Sequence, residues 1–133
     1  MAFFRTGGGS GFPYKVAYAH RTFNVNSKFS YDFSEDIDNG ELVGVMTVAI
    51  GTTGHANGAI AVYSNDDRFY SAIKPFLNGL TIDPNNNSYI WYSWYSWVSP
   101  SWSISGNTYT ADRVLGYVFD SPDYIGVFIL FYK

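Results

Sequence analysis

The sequence contains no cysteine and few charged residues. Without cysteine the chain can form no disulfide and offers no thiolate to a metal. Charged residues make up 14% of its 133 residues, against about 25% in a typical globular domain. The eight lysines and arginines are scattered along the chain and the net charge is −3, so no basic stripe is present to attract phosphates. Nucleic acid is therefore not expected as a partner.

Long apolar runs are also missing. The longest, Leu42–Ile50 and Ile125–Tyr132, have the length of strands and are too short to cross a bilayer. The N-terminus lacks the charged region followed by an apolar run that marks a signal peptide. We expect no membrane span and no signal peptide.

Aromatic residues are abundant, at 20% of the chain. Tyrosine and phenylalanine favour strands, and turn signals divide the chain into about eight short strands with almost no helix. The pattern predicts a single all-β domain, an antiparallel β-sandwich that is jelly-roll-like, with an immunoglobulin-like sandwich as the second choice.

Several elements can be placed individually. Phe23–Ser34 alternates apolar and polar residues, which predicts one half-buried strand with a bend or bulge near residues 26–27. Leu42–Gly51 is almost continuously apolar and predicts a central strand buried on both faces. Arg68–Leu77 is the one helix candidate, and Pro75 limits it to a turn or two. Further strands are predicted at 15–19, 59–63, 102–104, 108–110, 114–119 and 125–132, with a hairpin turn at 105–107.

Residues 7–11 read Gly-Gly-Gly-Ser-Gly, which is a flexible linker. It divides the chain into an N-terminal arm with its hinge, residues 1–11, and a sandwich domain, residues 12–133. The arm is either a frayed terminus or a docking segment. Docking on another subunit would use Phe3, Phe4 and Arg5, because a disordered tail has no need of two phenylalanines.

The segment Tyr89–Trp102 holds all four tryptophans. Taken as one strand, residues 89–98 carry aromatic side chains on both faces. One face can fill the core, and the other must be covered by the chain itself, by a neighbouring subunit or by a sugar. The predicted subunit or glycan contacts are Trp91, Trp94, Trp97, Trp102, Tyr92 and Tyr95.

Catalytic and metal-binding patterns are weak. The two histidines, His20 and His55, have no acidic residue at a useful spacing, and no nucleophile elbow is present. We therefore expect neither an enzyme nor a cofactor. The one calcium candidate combines Asp36, Asp38 and Glu41, whose carboxylates suit that ion. The loop departs from the EF-hand pattern, because its glycine stands at the fifth position instead of the sixth.

The opening residues, M-A-F-F-R-T-G-G-G, resemble the starts of small structural proteins encoded among bacteriophage tail and virion genes. The resemblance implies a non-enzymatic virion protein, such as a decoration, fibre or tail-tip protein, made in the host cytoplasm. It also implies a homo-oligomer, a trimer, attached to other virion proteins by its N-terminal arm. The alternative is a carbohydrate-binding module or lectin that contacts a host surface glycan. A receptor-binding tip would combine both functions.

Overall fold

A computed structural model describes residues 12–24, 28–51, 58–76, 81–83, 88–92, 101–112 and 123–133. The described residues form nine strands, one short helix and a 3₁₀ turn at Lys74–Phe76. In chain order the strands and the helix are β1 (Lys15–Asn24), β2 (Phe29–Asp32), β3 (Leu42–Gly51), β4 (Gly58–Ser64), α1 (Asp67–Ile73), β5 (Thr81–Asp83), β6 (Ser88–Tyr92), β7 (Ser101–Ser105), β8 (Thr108–Asp112) and β9 (Asp123–Tyr132).

The strands form two antiparallel sheets. The larger has the order β1-β9-β3-β4-β6-β5 and the smaller the order β2-β8-β7. The pairs β1–β9, β2–β8 and β4–β6 are nested, so that strands far apart in sequence lie side by side. The predicted all-β antiparallel sandwich is confirmed, with nine strands among the described residues and sheets of unequal size.

The first hydrophobic core lies between the two sheets. Phe128 on β9 packs with its ring centre 5.9 Å from that of Phe29 on β2 and 6.2 Å from that of Tyr109 on β8. Leu130 and Val45 join them from the larger sheet. The side chains that alternate inward along β9 therefore hold the two sheets together.

The second core covers the opposite face of the larger sheet. Phe69 and Ile73 of α1 are fully buried there, against Phe131 of β9 and Tyr14, which precedes β1. Val43 and Met46 of β3 point into this core, whereas Val45 points into the first. The predicted strand Leu42–Gly51 is confirmed, and its residues 42–47 are buried on both faces.

One predicted strand is wrong as drawn. Phe23–Ser34 is divided between β1 in the larger sheet and β2 in the smaller one, and the predicted bend falls outside the described residues. The predicted aromatic strand at 89–98 is described only at residues 89–92, in β6, and the predicted strand at 102–104 lies in β7 of the other sheet. Alternation survives a change of sheet, so a period of two does not reveal where the chain crosses over.

The helix and the hairpin follow the sequence closely. α1 begins after Asp66, whose carboxylate accepts a hydrogen bond of 2.9 Å from the backbone N–H of Arg68. The β7–β8 hairpin turns at Gly106, whose φ of 59° suits the first central position of a type II′ turn. The predicted strand at 114–119 lies outside the described residues. No helix in the described part is long and apolar enough to cross a membrane.

Candidate functional site

The outer edge of β1 is the longest strand edge of the larger sheet, and its hydrogen-bonding direction can be derived. The backbones of Glu41 and Lys133 exchange two hydrogen bonds, of 3.0 and 2.9 Å, so the backbone N–H and C=O of Lys133 point toward β3. In an antiparallel sheet these backbone groups point to opposite sides in successive residues. The backbone groups of Tyr132 therefore point toward β1, where the partner of Tyr132 is Lys15. Continuing this alternation, the odd-numbered residues of β1 bond to β9. The even-numbered residues point their backbone groups outward: Val16, Tyr18, His20, Thr22 and Asn24.

The second half of this edge is capped by side chains of the same chain. The Tyr31 hydroxyl donates to the carbonyl oxygen of Thr22 at 3.1 Å, and Arg21 Nη1 donates to the carbonyl oxygen of His20 at 2.9 Å. Both contacts reach carbonyls that the alternation places on the outer side, which supports the assignment. An incoming strand would meet occupied acceptors here.

Arg21 is held firmly in its capping position. Its guanidinium donates to the Asp36 carboxylate at 3.1 Å and lies 5.8 Å from the ring centre of Tyr31 and 5.5 Å from that of Phe33. Burial raises the pKa of Tyr31, and the charge of Arg21 opposes that rise only partly. The cap therefore combines an ion pair with two aromatic contacts.

The first half of the edge is open. Among the described residues, no hydrogen bond reaches the outward N–H and C=O groups of Val16 and Tyr18. The Tyr18 side chain is 70% exposed, and no other large hydrophobic side chain of the described residues is exposed to this degree. An unpaired strand edge beside an exposed aromatic residue is a template for pairing with another strand.

A shallow cleft of about 370 Å³ lies at one end of the sandwich, away from this edge. Asn107 builds its floor by accepting from the Leu42 N–H at 2.9 Å and donating to the Gly40 carbonyl at 2.8 Å. The Glu41 and Asn65 side chains are exposed at the rim. The cleft offers hydrogen-bonding groups without an aromatic wall among its lining residues, which are Gly40, Glu41, Leu42, Asn65, Ile104, Gly106 and Asn107.

The predicted calcium ligands are not gathered into a site. Asp36 is engaged by Arg21, and Asp38 lies exposed in the turn that precedes Glu41. Within the described ranges, no three acidic or histidine side chains come together where they could hold a metal ion. Asp36, Asp38 and Glu41 therefore serve a turn and an ion pair in this structure.

The carboxylates with shifted pKa values are caps. Hydrogen bonds from the side chain and backbone of Arg68 lower the pKa of Asp66, and those from Ser34 lower the pKa of Asp32. A general acid needs the opposite shift. His20 is exposed on the edge strand β1, and His55 lies outside the described residues.

The structure removes one residue from the predicted contact set. Trp102 is 6% exposed and stacks on Tyr109 between the sheets, with ring centres 6.1 Å apart and planes at 10°. A buried ring cannot stack on a sugar or on a neighbouring subunit. Other predicted contacts lie outside the described part: the arm residues Phe3, Phe4 and Arg5, the residues Trp94, Tyr95 and Trp97, and the side chains of Trp91 and Tyr92, whose backbone belongs to β6.

Comparisons with protein-family models, with curated proteins and with solved structures find no match to this chain. Its function must therefore be inferred from its own chemistry. The sequence held no local signal for this edge, because the alternation of exposed and covered residues from Tyr18 to Thr22 is that of any strand with one solvated face.

Proposed function

We propose that this protein is a non-enzymatic structural subunit of a bacteriophage particle and that it self-associates into a homo-oligomer. The observation that carries the proposal is the open half of the β1 edge, where the backbone groups of Val16 and Tyr18 point outward beside an exposed tyrosine ring. Proteins that stay monomeric block such edges with charge, proline or a bulge. Here hydrogen-bonded caps cover the second half of the strand only, and Lys15 is the one charged residue of the first half.

The low charge of the chain supports the same proposal. Charged residues make up only 14% of the chain, so the electrostatic repulsion between two copies is weak. The location in a virion is supported by the N-terminal resemblance and by the glycine-rich hinge, which would let residues 1–6 dock while the sandwich swivels. A non-enzymatic role is supported by the described carboxylates with shifted pKa values, which are held ionised as caps.

Light scattering coupled to size-exclusion chromatography tests self-association. We expect a particle mass that is a multiple of the mass of one chain at micromolar concentration. A single-chain mass at the highest soluble concentration would refute the proposed oligomer, because an assembly protein must associate under those conditions.

Incorporation into particles tests the virion role and the arm separately. We expect the chain in purified particles by mass spectrometry, and we expect Phe3→Ser combined with Phe4→Ser to abolish incorporation while the sandwich stays folded. Ala2→Ser is the matched control, since it changes the arm without removing an apolar anchor. Full incorporation of the double variant would refute the arm, and absence of the wild-type chain from particles would refute the virion role.

The cleft favours one second candidate, the binding of a saccharide. Exposed Glu41 and Asn65 side chains can accept and donate hydrogen bonds to hydroxyl groups, and Ile104 offers an apolar wall to a C–H face. Saturation-transfer NMR with a panel of simple sugars tests it. A signal that is lost in Asn65→Ala supports saccharide binding at the cleft. A panel without any signal, or a signal unchanged in that variant, contradicts it.

A further inference from the structure

We propose that two copies of the chain join edge to edge, with β1 antiparallel to β1 of the second copy about a twofold axis at Ala17. The inference rests on the proposed self-association and names the surface that produces it. It follows from which backbone groups of β1 are open and which are already occupied.

The open groups of one copy match the open groups of the other. Each of Val16 and Tyr18 presents one N–H and one C=O outward. In an antiparallel pair, two residues directly opposite each other can exchange both of their hydrogen bonds. A twofold axis at Ala17 places Val16 opposite Tyr18 of the second copy, and Tyr18 opposite Val16. Each of the four outward groups of Val16 and Tyr18 is then satisfied by an outward group of the second copy, and the capped residues stay outside the contact.

The neighbouring register is worse on two counts. Moving the axis to Tyr18 would place Val16 opposite His20 of the second copy, whose carbonyl already accepts from Arg21. It would also place Lys15 directly opposite Arg21, and like charges at opposed positions destabilise a sheet. The axis at Ala17 avoids both problems, because Lys15 then faces Ala19.

Side chains support the same register. Tyr18 and Val16 of opposite copies become direct cross-strand neighbours, and aromatic rings pack favourably against β-branched residues in that position. Val16 already packs against the second core, so the contact extends apolar burial over the exposed Tyr18 ring. The twofold axis uses the β1 edge of each copy, so this contact closes and gives a dimer, not a fibre. The resemblance at the N-terminus implies a trimer instead. The number of chains in the oligomer therefore distinguishes the edge-to-edge dimer from that trimer.

Single cysteines test the register directly, because the chain contains no cysteine of its own. In the proposed dimer the two Ala17 residues form a non-hydrogen-bonded pair with Cα atoms about 4.5 Å apart, which a disulfide can span. We expect Ala17→Cys to form a covalent dimer under mild oxidation. Thr22→Cys is the control on the same strand, with its two copies roughly 30 Å apart, and should stay uncrosslinked.

Proline tests the hydrogen bonds. Tyr18→Pro removes an outward N–H of the open half, and Thr22→Pro removes an outward N–H of the capped half. Proline is tolerated at such edge positions because the N–H faces solvent. We expect Tyr18→Pro to raise the dimer dissociation constant by about tenfold or more, since each dimer loses two hydrogen bonds. Thr22→Pro should leave it within about twofold of wild type.

The outcomes separate this inference from the proposed function. A monomer at high concentration overturns both. A trimer, or a dimer in which Ala17→Cys fails to crosslink, overturns the edge contact and leaves the structural role standing. A crosslinked Ala17→Cys dimer supports the contact even if Tyr18→Pro fails to fold. An unchanged dissociation constant in folded Tyr18→Pro contradicts it.

Discussion

Thr47 and Tyr109 form a hydrogen bond between the two sheets, in the centre of the protein. Thr47 Oγ1 on β3 lies 3.1 Å from the hydroxyl oxygen of Tyr109 on β8, and both residues are fully buried. Each hydroxyl is the polar partner of the other in a core that is mostly apolar. The pair therefore fixes how one sheet sits on the other.

Removing either hydroxyl should destabilise the protein. Tyr109→Phe leaves the Thr47 hydroxyl unsatisfied, and Thr47→Val does the same to Tyr109. We expect each to lower the free energy of unfolding by about 1–3 kcal/mol in urea titrations. The double variant should cost less than the sum of the two single variants. The control is the exposed pair Ser30–Thr110, with oxygens 2.9 Å apart, where Thr110→Val should cost less than about 0.5 kcal/mol. Strict additivity in the buried pair would contradict the coupling.

Stability should fall at alkaline pH. Burial raises the pKa of Tyr109, and the hydrogen bond from Thr47 opposes that rise to a smaller degree. A tyrosine in the unfolded chain ionises near pH 10, whereas buried Tyr109 keeps its proton. Unfolding therefore releases a proton above about pH 10, and the free energy of unfolding decreases as the pH rises.

Tyr109→Phe tests this dependence. One proton corresponds to about 1.4 kcal/mol per pH unit, so the variant should have a shallower loss of stability between pH 10 and 11. Burial also raises the pKa values of Tyr14, Tyr31 and Tyr63, and part of the slope should therefore remain. Urea midpoints measured from pH 8 to 11 give the comparison. Identical slopes in wild type and variant would refute the assignment to Tyr109.

Asn107 should be the most costly polar residue to remove near the cleft. Its side chain bonds to the Leu42 N–H, the Gly40 carbonyl and the Ser34 hydroxyl, at 2.9, 2.8 and 3.3 Å. We expect Asn107→Ala to lower the free energy of unfolding by roughly 2–3 kcal/mol, because these groups lose their partner. Asn65→Ala, which loses one exposed contact of 3.4 Å, is the matched control and should cost less than about 0.5 kcal/mol. Equal costs would show that the three bonds contribute little.

Gly44 should tolerate no side chain. A Cβ atom at this position would lie 2.7 Å from the Phe69 ring, which is fully buried and has no room to move. We expect Gly44→Ala to cost about 2 kcal/mol or more in unfolding free energy. Phe69→Leu should relieve part of this cost in the double variant.

Gly106→Ala provides the comparison for Gly44→Ala. A Cβ atom at Gly106 meets nothing within 4 Å, but its φ of 59° strains any other residue by roughly 1 kcal/mol. Phe69→Leu should not relieve that strain. Relief at both glycines would argue against a steric origin at Gly44.

Much of the fold could be predicted because local chemistry determines it. The continuous apolar run of Leu42–Gly51 requires burial on both faces, and the structure supplies a core on each side. Pro75 limits the helix to a turn or two and Gly106 marks the hairpin, whereas the N-cap role of Asp66 is seen only in the structure. The division of Phe23–Ser34 between two sheets was not predictable, since Ala19 before the crossing and Phe29 after it both stand at odd-numbered positions and both point into the first core.

The candidate site was less accessible to sequence reasoning. The tryptophans made Tyr89–Trp102 the predicted contact segment, yet Trp102 lies in the core. The sequence of a strand does not show which sheet the strand will join. The edge of β1 emerged only from the pairing of the first strand with the last. Whether a backbone group is open depends on neighbours about a hundred residues away in sequence, such as Lys133 beside Glu41 and Tyr132 beside Lys15.

The sequence by itself determined the absence of disulfides, the all-β class, the place of the hairpin and of the short helix, and the surplus of aromatic residues that must be covered. These follow from composition and from interactions between near neighbours. The tertiary structure decided which aromatic residues are covered, and which half of β1 remains open. Both depend on how the sheets stack and on strand order, because hydrogen bonds between strands and contacts between sheets join residues whose separation along the chain carries no local signal.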